Sequence, residues 1–452
     1  MAKLLSIWHS LRSSLWLVPG VLVLLAVALA IGLIEVDSRL DERVLDSWPR
    51  LFGAGAAGSR GMLVAVASSM ITVAGVVFSI TLVALSLASS QYTSRVLRQF
   101  MSDRTNQTVL GVFVGIFAYC LVVLRTIREG PDIEFVPSLA VLGGVVLAFI
   151  GIGYFSYFIH HIATTIQASH VLARNAAESV RRIDHLFPDG VAHEDEFDAN
   201  CDPSRRDPRR RWHAAPAPRT GYIQRVEAES LLAVARNQKT VVRMENRVGD
   251  FVVEGMPLAS ILTAEDSGPP SQEVIDRVSA AYAINAERTT DQDAAYGIRQ
   301  IVDVALKALS PGINDTTTAV MSLDYLTAIL VKLCARRIES TGRFDKGELR
   351  VITRGATFAS MVELAFDQIR QNAGGNVAVL SRLVEALQTL EGQTQRPNRR
   401  RVLLHQALAL EEVIRRTIPA SLDREPVQAR ALRLLESLKA FEAARDMTTD
   451  HY

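Results

Sequence analysis

Cysteine is scarce in this chain, at three in 452 residues. Cys120, Cys201 and Cys334 are an odd number without regular spacing, so neither a disulfide framework nor a zinc module is expected. An excess of one charge sign is also missing, with 49 Lys and Arg against 48 Asp and Glu. Near-neutrality gives no global pull toward nucleic acid, and none is expected as a partner. Catalytic signatures are absent too: there is no Walker loop, dinucleotide fingerprint, His-Glu-x-x-His helix or nucleophile elbow. Scattered carboxylates alone do not make an acid–base pair, so the sequence reads as a non-enzyme with no cofactor and no metal. The most telling absence is local. From Gly61 to Ser94 there are 34 residues without one Asp, Glu, Lys or Arg.

That stretch is long enough to cross a bilayer, which takes about 20 apolar residues. Three more windows lack charge: 13–34, 105–124 and 135–159. Each must be helical in lipid, because an isolated strand leaves its backbone unsatisfied there. The reading is a mainly α protein with a four-helix transmembrane domain over 1–187, the helices at about 14–34, 62–94, 105–124 and 135–159 and an exit helix near 171–187. The first window is longer than a signal-peptide core and is read as a retained span. Lys3 and Arg12, then Arg95, Arg98 and Arg104, then Arg174, Arg181 and Arg182 flank the span ends on one side. By the positive-inside rule they place both termini in the cytoplasm. Trp16 and Trp48 suit interfacial positions.

The second window is apolar, yet studded with small and hydroxyl residues. At 100° per residue, Ser68, Thr72, Gly75, Ser79, Ser86 and Ser90 fall within a sector of roughly 60°, and Val66, Val73, Val77 and Leu85 lie opposite. Two readings stay open. Small residues let helices pack closely and hydroxyls bond across the contact, as Gly111 with Gly115, and Ala140 and Gly144 with Ala148, suggest in other spans. Alternatively, several copies around an axis line a water path with these six positions, and Leu82 and Val83 narrow it where apolar constrictions gate by dewetting. A continuous helix over 34 residues reaches about 51 Å. It would carry Gln91, Arg95 and Arg98 to a cytoplasmic mouth that favours anions.

After the spans the composition turns polar. Residues 188–220 hold five prolines, an acidic run (Glu194, Asp195, Glu196) and a basic run (Arg209, Arg210, Arg211), and read as a mobile linker. His193, Cys201 and His213 lack the spacing of a metal finger, and His160, His161 and His170 read as interfacial hydrogen-bonding groups. Residues 221–265 read as a small β module, with strands at Tyr222–Val226, Thr240–Glu245, Phe251–Val253 and Leu258–Leu262 and a short helix at Glu229–Arg236. The run from Val248 to Ala259 resembles one edge of lipoyl- and biotinyl-type domains, but Lys239 does not sit in the hairpin-tip motif that carries their prosthetic group. From 266 to 452 a helical cytoplasmic domain is expected, with helices at 294–309, 316–338, 347–372, 376–391, 398–416 and 425–446. Ser310-Pro-Gly-Ile-Asn-Asp breaks the first of these, and Asp315 is placed to cap the next.

Three segments carry a family resemblance: Val77-Phe-Ser-Ile-Thr-Leu-Val-Ala-Leu-Ser-Leu-Ala-Ser-Ser-Gln-Tyr, Arg95-Val-Leu-Arg-Gln-Phe-Met-Ser-Asp-Arg-Thr-Asn-Gln with Leu110-Gly, and Tyr296-Gly-Ile-Arg-Gln through Ser310-Pro-Gly-Ile-Asn-Asp. The chain resembles the uncharacterised bacterial membrane proteins grouped as domain of unknown function 2254. It departs from their pattern where Thr93-Ser94 precede Arg95 without a proline and where Thr316 replaces a proline. The resemblance implies a four-span bacterial inner-membrane protein with a cytoplasmic domain, and brings no activity with it. The expected function is a homo-oligomeric channel or conductance protein whose partners are the bilayer and further copies of itself. The alternative is a non-conducting scaffold or signalling protein whose cytoplasmic part binds a partner.

Overall fold

The chain is described by a computed structural model covering residues 16–39, 55–91, 103–128, 135–165, 167–187, 210–264, 268–289, 292–336, 338 and 342–449. It is mainly helical, with two small sheets, and divides into two compact units at residue 171/172.

The first unit is built on apolar helices α1 (Leu17–Asp37), α2 (Ala56–Gln91), α3 (Arg104–Thr126) and α4 (Ser138–Thr165). At 36 residues, α2 is about 54 Å long, well beyond the ~30 Å hydrocarbon core of a bilayer. α3 is the central member: α1, α2 and α4 all pack on it, and Val109, Phe113, Ile116, Tyr119, Cys120 and Val123 are buried. A Cβ on Gly111 would sit 2.8 Å from the backbone of Pro19, so α1 and α3 approach closely only because that position is glycine.

Buried polar groups tie the helix ends. Asp37 closes α1 and stays buried; its carboxylate accepts from the N–H groups of Leu139 (3.1 Å) and Ala140 (3.0 Å) at the start of α4. The Tyr119 hydroxyl donates to the Ala140 carbonyl at 2.7 Å. Elsewhere in the unit, Asp103 caps α3 by accepting from Thr105 N–H, while its other oxygen lies 2.9 Å from His161 Nε2. Of the three histidines after the fourth window, His161 thus has a defined hydrogen-bonding role.

α5 (Ala168–Leu186) leads into the second unit. Its strands are β1 (Arg210–Pro216), β2 (Gly221–Val226), β3 (Val241–Met244), β4 (Phe251–Val252), β5 (Pro257–Ala264), β6 (Tyr282–Asn285), β7 (Gly342–Asp345) and β8 (Glu348–Ile352). They form a five-stranded sheet in the order β1-β5-β3-β8-β7 and a three-stranded sheet in the order β4-β2-β6. Only β3 and β8 run parallel; the other pairs are antiparallel. Helices α6 (Ala228–Asn237) and α7 (Gln272–Ala280) pack against the sheets around Ile223, Leu231, Val242, Leu258 and Ile261. α8 (Ala294–Ala308), α9 (Thr316–Ala335), α10 (Phe358–Asn372), α11 (Val377–Gln393), α12 (Pro397–Thr417) and α13 (Ser421–Thr449) form a helical bundle.

Three segments differ from the sequence reading. Residues 282–285, expected in the helical part, form strand β6, because they pair with β2 of the β module. Residues 210–216, expected in the linker, form strand β1. It is an edge strand whose arginines stay in water, so its charge hides a ladder that the backbone still makes. Arg243 lies 4.3 Å over the ring of Trp212, which fixes it on its neighbours. Residues 347–357, expected to begin a helix, instead close a hairpin. Lys346 (φ +51°) and Gly347 (φ +83°) form a two-residue turn that needs positive φ at both positions, and the helix starts only at Phe358, capped by Thr357.

Asp315 caps α9, accepting from the N–H and the hydroxyl of Thr318 at 3.0 and 2.6 Å. Those two hydrogen bonds, the hydroxyl's first, hold its carboxyl below the ordinary 3.8. A depressed carboxyl stabilises the fold above the unfolded value and loses that contribution as pH falls through the folded one. Asp315→Ala is therefore expected to cost about 1 kcal/mol at neutral pH, and the gap to the parent protein should close below about pH 4. Thermal melts of detergent-solubilised protein across pH 3–7 check both statements.

Five helices among the described residues are long and apolar enough to cross a membrane: α1 to α4 and α9. The sequence reading counted four; α9 is the addition, an apolar helix broken by Asp324 and Lys332.

Candidate functional site

A span of a small helical bundle has two kinds of surface, one against its own neighbours and one against whatever surrounds the protomer. On α2 the first is formed by Leu63, Ala67, Met70, Ala74, Val77 and Ala84, all buried against α3 and α4. At 100° per residue these positions lie on the side opposite the hydroxyl sector. Ser68, Thr72, Gly75, Ser79 and Ser86 are exposed on the protomer. Among the described residues of α2, packing inside one protomer therefore accounts for the alanine side and leaves the hydroxyl stripe unexplained.

Two hydroxyls of the stripe, and two beside it, are chemically quiet. Thr72 donates to the Ser68 carbonyl at 2.8 Å and Ser79 to the Gly75 carbonyl at 2.9 Å, with the same pattern from Ser69 to Ala65 and Thr81 to Val77. Each proton is satisfied within the helix, while the oxygen lone pairs still face outward as acceptors. Leu82 (49% exposed) and Val83 (60%) share the outward surface and interrupt the hydroxyl series. Ser90 and Gln91 continue the helix backbone, but their side chains lie outside the described residues, as do Arg95 and Arg98. The stripe thus runs on one outward face from Ser68 to Ser86, and the proposed mouth is not described.

Sequence reasoning missed three groupings. Nothing local in the sequence announces that Asp37 caps a helix about a hundred residues on. The Asp103–His161 pair likewise joins two spans. In the second unit Asp293 caps α8, with Oδ1 accepting from Tyr296 N–H at 3.0 Å, while Oδ2 accepts from Arg288 Nε (3.0 Å) and Nη2 (2.6 Å). Burial pushes the Asp293 carboxyl up, and the neighbouring Arg288 charge opposes that rise. Asp–x–x–Tyr before an apolar periodic run was the available sign of the cap.

Comparison with known proteins agrees on kinship and gives no chemistry. Residues 12–389 match a family model described as a predicted membrane protein, domain of unknown function 2254. An uncharacterised protein of Mycobacterium bovis is 31% identical over 435 residues, covering 94% of this chain and 81% of the relative. Uncharacterised proteins of two Mycobacterium tuberculosis strains align at the same identity and coverage. No solved structure matches the chain significantly.

Proposed function

Because the chain belongs to the predicted membrane protein family termed domain of unknown function 2254, which has no assigned activity, we propose its function from the geometry of α2: a homo-oligomeric channel or conductance protein of the bacterial inner membrane. One observation carries this reading. The hydroxyl sector of α2 faces away from its own protomer, while the alanine side faces in. Copies arranged about an axis would bring Ser68, Thr72, Gly75, Ser79 and Ser86 onto a shared lumen and leave Leu82 and Val83 as its apolar collar.

In this reading α1 to α4 span and α9 does not. Ala319, Leu323, Leu326, Ile329, Leu330 and Leu333 of α9 are fully buried in its own unit, which leaves little apolar surface for lipid. Four spans place both termini on one side. The arginines at 95, 98, 104, 174, 181 and 182 make that side the cytoplasm, where the second unit serves as vestibule or sensor. We assign the protein no catalysis, no cofactor and no nucleic-acid partner.

The quiet hydroxyls support a second reading, a non-conducting scaffold in which the same face closes dry against another copy. Conductance in planar bilayers separates the two. Ser79→Phe is expected to lower conductance about tenfold or more by filling the lumen, while Phe78→Trp, off the sector, leaves it unchanged. Symmetric particles that conduct nothing would favour the scaffold, and a monomeric particle would sink both.

A further inference from the structure

The second unit contains a cavity of about 360 Å³ where several chain segments meet: the last turn of α5, the end of β2, the turn after β3, the start of α8, strand β7 and the loop between β8 and α10. Its wall is of two kinds. Phe187, Val226 and Met244 supply apolar surface, and Arg247, Arg343 and Arg354 supply positive charge. Among the described residues of the wall the one carboxylate, Asp293, is already engaged by Arg288 and by the N-terminus of α8.

Two of the guanidiniums keep donors to spare. Arg354 gives one N–H to the Glu245 carbonyl at 2.6 Å, and Arg247 gives Nε to Asp250 at 3.2 Å. A guanidinium carries five N–H donors, so most of the donors on both remain for a ligand. Arg343 pairs with Glu229 at 3.7 Å and adds its positive charge to the wall. Three forked cations beside an apolar wall, with the carboxylate among the described lining residues already engaged, suit an anion that carries an apolar body. Guanidinium forks match phosphoryl oxygens in pairs, and the volume lies at the small end of ligand sites, about 300–1,000 Å³.

We propose that this cavity binds a small organic phosphate, of about the size of a nucleoside monophosphate, with Arg247, Arg343 and Arg354 on the phosphoryl group and Phe187 and Met244 against the body. α5 begins at Ala168, before the boundary between the units, and its last turn forms part of the cavity wall. An occupied cavity therefore touches the helix that covalently joins the two units. This regulatory consequence rests on the channel reading, whereas the binding itself does not.

The test is isothermal titration of the full-length protein in detergent with adenosine monophosphate, with dihexanoyl phosphatidic acid as a lipid source of the same group, and with uncharged adenosine. The expected result is saturable binding of a phosphate probe, with adenosine weaker by about tenfold or more. Binding should fall by about the same factor in the Arg343→Gln/Arg354→Gln double variant. Because Arg354 also supports the Glu245 backbone, Arg247→Gln, at an exposed position, is the second variant and should weaken binding about tenfold or more while the melting temperature changes little. Binding of adenosine monophosphate alone assigns a soluble ligand, and binding of the lipid alone assigns a headgroup. No saturable binding of either phosphate, adenosine binding as tightly, or affinity unchanged in both variants overturns the site. Channel activity is measured separately, so a non-conducting protein that binds the phosphate retains this site and loses only its regulatory role.

Discussion

Arg399→Met is expected to destabilise the second unit by about 3–5 kcal/mol, lowering its melting temperature by about 10 °C. Arg399 is 2% exposed and sits at the start of α12. Its guanidinium donates to the carbonyls of Leu333 (2.8 Å), Cys334 (2.9 Å) and Arg336 (2.9 Å). Those carbonyls close α9 and its C-cap and mark the negative end of the helix dipole, and that of Leu333 also accepts from the Arg336 N–H at 3.2 Å. Oriented carbonyls hold the buried cation, and the Phe358 ring lies 4.9 Å from it. Methionine fills much of the volume but takes the guanidinium donors away from the carbonyls, and each buried acceptor that loses its partner costs roughly 1–3 kcal/mol. Arg399→Lys keeps the charge with a shorter reach and should recover about half of the loss. Arg401→Ala, two residues along on a side chain 61% exposed, should change stability by less than about 0.5 kcal/mol. Urea unfolding of the three variants measures the series. Equal losses from Arg399→Met and Arg401→Ala would show that the carbonyl cluster contributes nothing.

What the sequence made legible is whatever repeats along one element. The uncharged windows gave the apolar helices of the first unit. The 100° spacing of Ser68, Thr72, Gly75 and Ser79 picked out one face of α2, and Asp315 before Thr316 pointed to a helix start. Interactions that join distant elements left no such trace. Arg399 belongs to a basic run, Arg399-Arg400-Arg401, and nothing in that run says which arginine turns inward. Strand β1 is held by pairing with β5 rather than by an alternating pattern of its own, so its arginines and proline made it look like linker. The β7–β8 hairpin is short, and the helical pattern following it swallowed it. The outward direction of the hydroxyl stripe needed the structure as well, since a helix with two small-residue sides can be packed either way round.

Asp37 shows the same limit in the first unit and leads to the second large effect. Asp37→Ala is expected to destabilise that unit by about 2–3 kcal/mol. The carboxylate ends α1 and receives two backbone N–H groups at the start of α4, one on each oxygen. Alanine leaves both N–H groups buried and removes a negative charge from the positive end of a helix dipole. Asn keeps one acceptor and should lose about half as much. Tyr119 holds the carbonyl of the same residue, Ala140, whose N–H Asp37 receives. The two side chains thus hold one residue by its two flanking peptide groups, and their effects should not add. In a double-mutant cycle Asp37→Ala with Tyr119→Phe should cost less than the sum of the single changes by about 0.5 kcal/mol or more. Because α4 and α2 both pack on α3, a loosened α4 should also disturb the alanine side of α2. Cysteine labelling at Ala74→Cys, buried in the parent, should then speed up in the Asp37→Ala background. An unchanged labelling rate would mean that the clamp fixes only the end of α4 and has no bearing on which face α2 turns outward.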